Sequence, residues 1–338
     1  MLRVGIVGMG FMGIRHAAAW VHTPARIVGV TSPNRAKAEE AAAPYGAKVY
    51  DSFTALLENV DVVDICTPTH LHHSMVLKAA AAGKHIVCEK PLALTMWQTH
   101  EMIAACEAAG VQLLVAHVVR FFPEYAVAKG IVDRGEIGRV GVVRLSRCMF
   151  KPARDNPDSW FHDLDKSGGM MFDLMIHDYD FARWVAGDVE SVFARNIAPK
   201  FPDAAGDHAL VILRHTNGAL SHVEGGQAYP APMFLTSLEI AGDQGLIEHR
   251  AQSSIPLSIY LHDSGTDAHV QAAVPTSPLE RDDDPYVVQI KHFYDVLTGK
   301  ETNLRVTAAD AAAAVQIAIA AIESTRTGRR VMLKDVVS

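Results

Sequence analysis

Asp173 and His177 lie four residues apart in a mostly apolar segment, Gly168–Asp178. This spacing predicts one helix from about Gly169 to Val185, and residues at i and i+4 of a helix share a face. The apolar neighbours predict that the helix is largely buried. A buried acid and a buried histidine need a partner or a task, so this pair is a candidate for proton transfer.

Glu89 and Lys90 form a second candidate group, because the run Cys-Glu-Lys-Pro that contains them closes a predicted strand. Ligands of open α/β sheets bind outside the carboxyl ends of the strands. The sequence therefore places a carboxylate and an ammonium where a substrate or cofactor would bind.

A glycine-rich turn lies directly between the first predicted strand and the first predicted helix. In a GxGxxG turn the first glycine permits the tight turn, the second lets a pyrophosphate approach the backbone, and the third lets helix and strand pack closely. The N–H groups that begin the helix then face the phosphates. We predict a dinucleotide site formed by Gly8, Gly10, Phe11, Met12 and Gly13.

In dinucleotide-binding domains that select NAD, the second strand normally ends in an acidic residue. In this sequence Ser32 takes that place. Arg35 and Lys37 follow, and two cations beside a small hydroxyl suit the 2′-phosphate of NADP better than a bare ribose. The alternative is that both cations are solvated surface charges. The sequence therefore predicts NADP or NAD as cofactor, with a preference for NADP.

Short β-branched runs alternate with alanine-rich helical stretches up to about His117, which predicts a parallel sheet with helices on both faces. The predicted strands are Leu2–Val7, Arg26–Thr31, Val60–Cys66, His85–Cys88 and Gln112–Ala116. The predicted helices are Met12–Val21, Ala36–Ala43, Phe53–Leu57, Leu71–Ala82 and Thr95–Ala109. We therefore predict a Rossmann dinucleotide-binding domain over residues 1–119.

The pattern changes after Pro123 to one typical of an α+β domain with a large, mostly antiparallel sheet, over residues 120–338. Asn217-Gly218 is a strong hairpin signal between two apolar strands. The predicted elements are the helices Tyr125–Asp133, Tyr286–Leu297 and Ala308–Thr325, the strands Val140–Met149, Ala209–His215 and Ala219–Glu224, and further strands between Val189 and Leu261.

Composition excludes several classes of protein. The chain has 338 residues, of which 49% are hydrophobic and 20% charged, and its formal net charge of −7 argues against a nucleic-acid or anionic-membrane partner. No apolar run approaches the roughly 20 residues that span a bilayer. Four cysteines without CxxC pairing fit a reducing cytoplasm. The 17 histidines include no HExxH site, so no metal is predicted.

The chain resembles the Gfo/Idh/MocA family, which includes glucose–fructose oxidoreductase and inositol dehydrogenase. The resemblance runs nearly end to end, through several spaced motifs in the same order. These are Gly8–Gly13, Cys66–His70, Ala82–His85, Glu89–Pro91, Arg120–Pro123, Trp160, the GGxxxDxxxH segment of Gly168–His177, and Asp284–Tyr286.

The resemblance implies catalytic roles for Lys90, Asp173 and His177. Oxidation of a secondary alcohol needs a base for the hydroxyl proton, which suits His177, and a cation beside the developing alkoxide, which suits Lys90. Asp173 would orient the imidazole. The resemblance also implies a cis peptide bond before Pro91.

Cofactor and substrate contacts are implied as well. Thr67, Pro68, His70, Glu89 and Lys90 resemble residues that line the cofactor, and Trp160 and Tyr286 resemble residues near the nicotinamide and substrate. His117 and Arg120 follow the sixth predicted strand as further candidates for substrate contact, although a structural role for Arg120 is an equal alternative.

The resemblance implies an oxidoreductase that transfers hydride between nicotinamide and a sugar, polyol or related compound. It also implies a homodimer or homotetramer formed through the second sheet. Two alternatives stay open: a glycosidase- or epimerase-like enzyme, in which hydride leaves and returns, and a regulator that binds the cofactor without catalysis.

Overall fold

The computed structural model describes residues 1–152, 156, 159–197, 207–230, 232–251, 258–261, 269–271 and 284–336. The chain divides into two compact units. The first comprises Met1–Phe121 and Pro278–Ala312, and the second comprises Phe122–Ser277 and Ala313–Ser338. The predicted division, 1–119 and 120–338, differs from this because it leaves residues 278–312 in the second domain.

Most predicted elements are found within a few residues of their expected bounds. The strands are β1 (Arg3–Val7), β2 (Arg26–Thr31), β3 (Lys48–Val49), β4 (Val62–Ile65), β5 (His85–Glu89), β6 (Leu113–Ala116), β7 (Val140–Phe150), β8 (Val189–Asn196), β9 (His208–His215), β10 (Leu220–Tyr229), β11 (Phe234–Gly242), β12 (Gly245–Arg250), β13 (Ser258–Leu261), β14 (His269–Gln271) and β15 (Val331–Met332). The α-helices are α1 (Phe11–Trp20), α2 (Arg35–Ala42), α3 (Phe53–Leu57), α4 (His72–Ala81), α5 (Met96–Ala109), α6 (Pro123–Asp133), α7 (Leu164–Ser167), α8 (Met170–Asp173), α9 (Ile176–Ala186), α10 (Pro285–Leu297) and α11 (Ala308–Thr327).

In the described part of the first unit, the sheet has the strand order β3-β2-β1-β4-β5-β6, and every adjacent pair is parallel. The central strand β4 is buried along its whole length, as is typical of a strand covered by helices on both faces. The predicted parallel sheet is confirmed. Because all these strands run in one direction, the loops after their carboxyl ends lie along one edge of the sheet.

The helix α10 explains why residues 278–312 belong to the first unit. Its side chains Val287, Ile290 and Phe293 are buried in one core cluster with Ala17 and Trp20 of α1. The sequence predicted the helix correctly but not its partner, since an apolar face does not say which core it covers.

The second unit contains a sheet whose described strands follow the order β14-β13-β12-β11-β7-β10-β9-β8-β15. The pair β7–β10 is parallel and the other pairs are antiparallel, which confirms the predicted mostly antiparallel sheet. The predicted hairpin at Asn217-Gly218 is also confirmed, because Arg214 of β9 pairs with Leu220 of β10 and Gly218 has φ +92°.

The single helix predicted from Gly169 to Val185 is wrong, because the structure interrupts it between α8 and α9. The Met175 N–H donates to the Met170 carbonyl, five residues back, at 3.3 Å. A Cβ at Gly225 of β10 would lie 2.3 Å from Met175 Cγ, so the fully buried Met175 side chain packs directly onto the backbone of the sheet. This close contact accompanies the break in the helix.

By length and composition, α11 is long and apolar enough to cross a membrane. Within the second unit, Ala314, Val315, Ile317 and Ala318 of this helix are fully buried. Such burial is typical of an apolar helix that packs in a protein core.

Candidate active site

The glycine-rich turn after β1 has the geometry expected of a phosphate-binding loop. Gly8 has φ +90°, and its N–H donates to the Thr31 carbonyl at 2.9 Å. A Cβ at Gly8 would lie 2.6 Å from the Cys66 carbonyl oxygen, and one at Gly13 would lie 2.0 Å from the Gly8 carbonyl oxygen. A Cβ at Gly10 would meet no atom within 4 Å. The turn is therefore closed on its inner side and open at Gly10, which fits a dinucleotide pyrophosphate.

The first turn of α1 is suited to the same anion. Its N-cap is Gly10, and no side chain caps the helix. The N–H groups at the start of a helix lack partners within it, and here they are available for phosphate oxygens. Phe11 and Met12 begin this helix, and the Phe11 side chain is exposed.

Two alanine substitutions in this turn should separate binding from folding. Gly10→Ala should leave the unfolding midpoint almost unchanged but weaken dinucleotide binding at least roughly tenfold, because the methyl group obstructs the close approach of the pyrophosphate to the backbone. Gly13→Ala should lower the unfolding midpoint as well, because its Cβ would clash with the Gly8 carbonyl oxygen. Cofactor titration and denaturant unfolding of both variants would test this, and equal stability losses in the two would contradict it.

The residues after β2 lie where the sequence predicts them, at the end of the strand and in the first turn of α2, but Arg35 has acidic partners that the sequence did not indicate. Ser32 is half-buried at the end of the strand, and Arg35 is exposed on α2. The Arg35 guanidinium donates to the Glu39 carboxylate at 2.8 Å and to the Asp51 carboxylate, which lies after β3. Arg35 is therefore already paired with two acids, and a 2′-phosphate would have to compete with them. Lys37 is an exposed residue of the same helix.

The loops after β4 and β5 bring Thr67, Glu89 and Lys90 to the same edge of the sheet as the glycine turn. His72 connects these two loops, since its ring nitrogens lie 2.8 Å from the Thr67 carbonyl oxygen and 2.9 Å from the Pro91 carbonyl oxygen. The predicted cis peptide between Lys90 and Pro91 is confirmed.

Pro68 and His70 lie in the loop after β4, as predicted, and both are half-buried. The His70 Nδ1 atom is buried and has no hydrogen-bond partner among the described residues. A cofactor bound along this loop would provide such a partner.

Glu89 is 5% exposed, and its Oε2 atom accepts the Lys90 backbone N–H at 3.0 Å. Its Oε1 atom lies 3.0 Å from Nε2 of the fully buried His16. Tyr286 of α10 packs beside this group, with its ring centroid 6.4 Å from that of His16. Burial, together with the negative charge of Glu89, raises the pKa of Tyr286 to about 12, so the phenol is neutral at physiological pH.

His117 and Arg120 are both fully or almost fully buried after β6. The Arg120 guanidinium donates to the Arg305 carbonyl at 2.7 Å and lies 3.3 Å from the Asp310 carboxylate. These contacts favour the structural alternative for Arg120, because protein atoms already use its donors.

In the second unit, Asp173 lines a pocket and Trp160 stacks on the neighbouring Phe161, with ring centroids 4.1 Å apart. An aromatic surface beside hydroxyl-binding groups is suited to a carbohydrate ring, which has apolar and polar faces. The pocket is lined by Pro152, Phe161, His162, Ser167, Gly169, Met170, Asp173 and Gln227.

Asp173 and His177 are the two residues between Met170 and Ala182 that are half-buried, while all the others there are buried. Asp173 ends α8 and His177 is the second residue of α9, so both side chains lie next to the break in the helix. The prediction that this segment is largely buried around the pair is confirmed. At the break between α8 and α9, Asp173 and His177 are thus partly exposed in a segment that is otherwise buried.

Asp178, directly after His177, forms a buried ion pair that the sequence analysis missed. Its carboxylate accepts from Arg147 of β7 at 2.7 Å (Nε) and 3.1 Å (Nη2), and Arg147 also donates to the Tyr125 hydroxyl at 3.3 Å. The pair fixes the start of α9, which carries His177, onto the sheet. The sequence did contain a signal for this pair, because an aspartate and an arginine occupy positions where the pattern predicts buried apolar residues.

His162 and Gln227 of the pocket were missed as well. Along β10, Ser221, Val223 and Gly225 are buried at alternate positions, and Gln227 follows in the same alternation. A glutamine on the inward face of a strand was therefore a usable signal. No such pattern marks His162, which lies in a short 3₁₀ turn.

The described residues contain two groups of side chains whose ligand atoms lie within 4.8 Å of one another, as a metal site would require. One is His16, Asp64 and Cys66, and the other is Cys148, His208 and Glu224. The absence of a resident metal stays a prediction from the sequence.

Comparisons with known proteins identify the family. A model described as an oxidoreductase family with an NAD-binding Rossmann fold matches residues 2–117, and a model of the GFO/IDH/MocA C-terminal domain matches residues 125–248. The scyllo-inositol 2-dehydrogenase (NAD(+)) of Bacillus subtilis is 30% identical over 342 residues, covering 98% of this chain and 96% of that protein. The chain belongs to the Gfo/Idh/MocA family. It is an oxidoreductase with a Rossmann domain, as the sequence predicted.

Other members of the Gfo/Idh/MocA family are similar over the whole chain. The myo-inositol 2-dehydrogenase of Thermotoga maritima is 28% identical over 347 residues, covering 99% of this chain and 100% of that protein. A solved structure of levoglucosan dehydrogenase in complex with NADH and levoglucosan has a TM-score of 0.86 and 26% identity, covering 98% of this chain and 99% of that one.

Proposed function

We propose that this protein is a nicotinamide-dependent dehydrogenase that interconverts a secondary hydroxyl and a ketone on a sugar, polyol or related compound. The observation that carries the proposal is the presentation of Asp173 and His177 from a buried segment, with Asp173 in a pocket beside stacked aromatic rings. Relatives named for inositols and levoglucosan, all rich in hydroxyl groups, support the substrate class.

The roles of the protein groups follow from their chemistry. We assign the exchange of the hydroxyl proton to His177 and the stabilisation of the developing alkoxide to Lys90. Asp173 orients the imidazole. Glu89 holds the backbone of Lys90 by accepting the Lys90 N–H. The nicotinamide, when bound, accepts or returns the hydride. The glycine turn after β1 holds the pyrophosphate, and Thr67, Pro68 and His70 line the cofactor.

The test is a panel of inositols, anhydrosugars and aldoses, each assayed with NAD and NADP by absorbance of the reduced cofactor. We expect net reduction of cofactor with at least one secondary alcohol. Substrate turnover without net reduction would support the glycosidase- or epimerase-like alternative. Cofactor binding without turnover of any compound in the panel would support the regulator.

We propose NAD as the preferred cofactor, which reverses the preference read from the sequence. The pairing of Arg35 with Glu39 and Asp51 supports this, because it engages the cation that was expected to bind a 2′-phosphate. Glu39 and Asp51 also add negative charge near the expected position of the 2′-phosphate. Two similar proteins are named or titled with NAD(+) or NADH.

Releasing Arg35 should improve NADP binding. In the Glu39→Gln/Asp51→Asn double variant, we expect the affinity for NADP to rise roughly three- to fivefold, the scale of an exposed ion pair, while the affinity for NAD stays the same. Ser32→Asp should act in the opposite direction by repelling the 2′-phosphate. Fluorescence titration with both cofactors measures each effect. If NADP already binds the unaltered protein tenfold more tightly than NAD, the proposal fails.

We also propose that the protein is a homodimer or homotetramer formed through the outer face of the second sheet. Along β9 the side chains alternate between buried and exposed, and the exposed ones include large apolar groups. Phe193, Leu210, Ile212 and Leu220 are each between 37% and 46% exposed on β8, β9 and β10. An apolar patch of this kind on a sheet is typical of an interface.

Ile212→Asp should therefore shift the protein towards monomer in light scattering coupled to gel filtration, because the charge would be buried in the interface. Leu164→Asp is a matched control, since Leu164 is 70% exposed on α7 and not on the sheet. A monomeric unaltered protein, or equal shifts in the two variants, would contradict the proposed interface.

The site of action is proposed to be the cytoplasm. All four cysteines, Cys66, Cys88, Cys106 and Cys148, lie among the described residues and are free thiols. Free thiols suit a reducing compartment.

A further inference from the structure

His16 is a fully buried histidine of α1, three residues after the last glycine of the phosphate-binding turn, and it lies between two carboxylates. Its Nδ1 atom is 3.0 Å from both oxygens of Asp64 on β4, and its Nε2 atom is 3.0 Å from Glu89 Oε1 at the end of β5. The contact with Glu89 is an ion pair by distance rather than an aligned hydrogen bond. The mechanism proposed above assigns no task to His16 or Asp64.

The surroundings of His16 favour its charged form. Burial acts to lower the pKa of His16, but its neighbours, first among them the Asp64 carboxylate, outweigh burial and hold the pKa well above the usual value. Asp64 is also fully buried, and it accepts the indole N–H of Trp20 at 2.8 Å. The imidazolium therefore has a fixed carboxylate on one side and Glu89 on the other.

The group extends from His16 to the backbone of Lys90. Glu89 uses one oxygen for His16 and the other for the Lys90 N–H, at 3.0 Å. Tyr286 packs beside the imidazole, and the Arg15 guanidinium lies 5.8 Å from the centroid of the Tyr286 ring. All of these residues belong to the first unit. The series Asp64, His16, Glu89 thus joins the helix of the phosphate-binding turn to the position of the lysine.

His16, Asp64 and Cys66 are close enough together to suggest a metal site, but their bonding favours a hydrogen-bonded group. Burial raises the pKa of the Cys66 thiol far above its usual value, so it is protonated, whereas a metal ligand must be a thiolate. The Asp64 oxygens are already used by His16 and Trp20.

We infer that His16 is a positioning residue for Lys90: its imidazolium, held by Asp64, fixes the Glu89 carboxylate so that Glu89 in turn fixes the Lys90 backbone. This inference rests on the proposed role of Lys90 in hydride transfer. Small displacements are expensive in such a site, because a shift of about 1 Å caused by a distant substitution can slow a reaction roughly a hundredfold.

The test compares His16→Gln, Asp64→Asn and the double variant. His16→Gln removes the positive charge and leaves two buried carboxylates facing a neutral amide. We expect kcat to fall roughly ten- to a hundredfold, while KM for the alcohol and the dissociation constant of the cofactor change less than about threefold. The double variant should recover at least about threefold in kcat over His16→Gln, because Asp64→Asn removes one of the opposed carboxylates.

His215→Gln is the matched control, since His215 is a buried histidine of the second unit whose ring nitrogens contact the Gly187 carbonyl and the Ser221 hydroxyl. It should lower stability without changing kcat per folded molecule. A His16→Gln enzyme with unchanged kcat, or with a loss that Asp64→Asn deepens, would overturn the inference. Failure of the unaltered protein to reduce cofactor with any alcohol would instead reject the proposed function.

Discussion

The variants His177→Ala and Lys90→Ala should each have a kcat about two to four orders of magnitude below that of the unaltered enzyme, the usual contribution of a positioned acid–base or electrostatic group. Without His177 no side chain takes the hydroxyl proton, and without Lys90 the developing alkoxide loses its cation. Neither substitution removes part of the glycine turn, so the affinity for the dinucleotide should change much less. Steady-state kinetics with cofactor titration would measure both quantities.

Two controls make this result specific to the proposed mechanism. His100→Ala removes an exposed histidine of α5 that does not line the pocket, and it should leave kcat unchanged. His177→Asn keeps a polar group of similar size but cannot serve as a base at neutral pH, so it should be as slow as His177→Ala. Turnover near that of the unaltered enzyme in both alanine variants would remove the assigned roles.

The first unit could be predicted from the sequence because its determinants are local. The spacing of Gly8, Gly10 and Gly13 fixes a strand, a turn and a helix within a few residues, and each glycine has the surroundings that the motif requires. The short buried strand β6 is likewise a continuous apolar run, and β4 is apolar except for Asp64. In such segments the local pattern and the tertiary fold agree.

The remaining features depend on contacts between residues far apart in the sequence. The helix break at Met175 coincides with its packing on Gly225, and the pairing of Arg35 involves Asp51, 16 residues away. The series Asp64, His16, Glu89 joins residues of α1, β4 and β5. Periodicity and motif spacing describe one segment at a time, so they give no information on such pairs.

Asp178→Ala should be the most destabilising of the substitutions considered for the second unit. Arg147 and Asp178 are 4% and 0% exposed, and removal of the carboxylate would leave a guanidinium buried without its counter-charge. Breaking a buried pair in this way typically costs roughly 3–5 kcal/mol in the free energy of unfolding. Denaturant unfolding followed by circular dichroism would measure the loss. A cost below about 1 kcal/mol, typical of an exposed pair, would contradict the prediction.

Replacing both partners separates the charge from the packing. In Arg147→Met/Asp178→Leu no buried charge is left unpaired, and apolar replacements of buried ion pairs are often neutral in stability. The double variant should therefore be more stable than Asp178→Ala. The effects of the two substitutions on the free energy of unfolding should not be additive. Its kcat should nevertheless fall, because the directional bonds that hold the start of α9, and with it His177, are lost. A double variant with normal stability and normal kcat would show that the pair does not position His177.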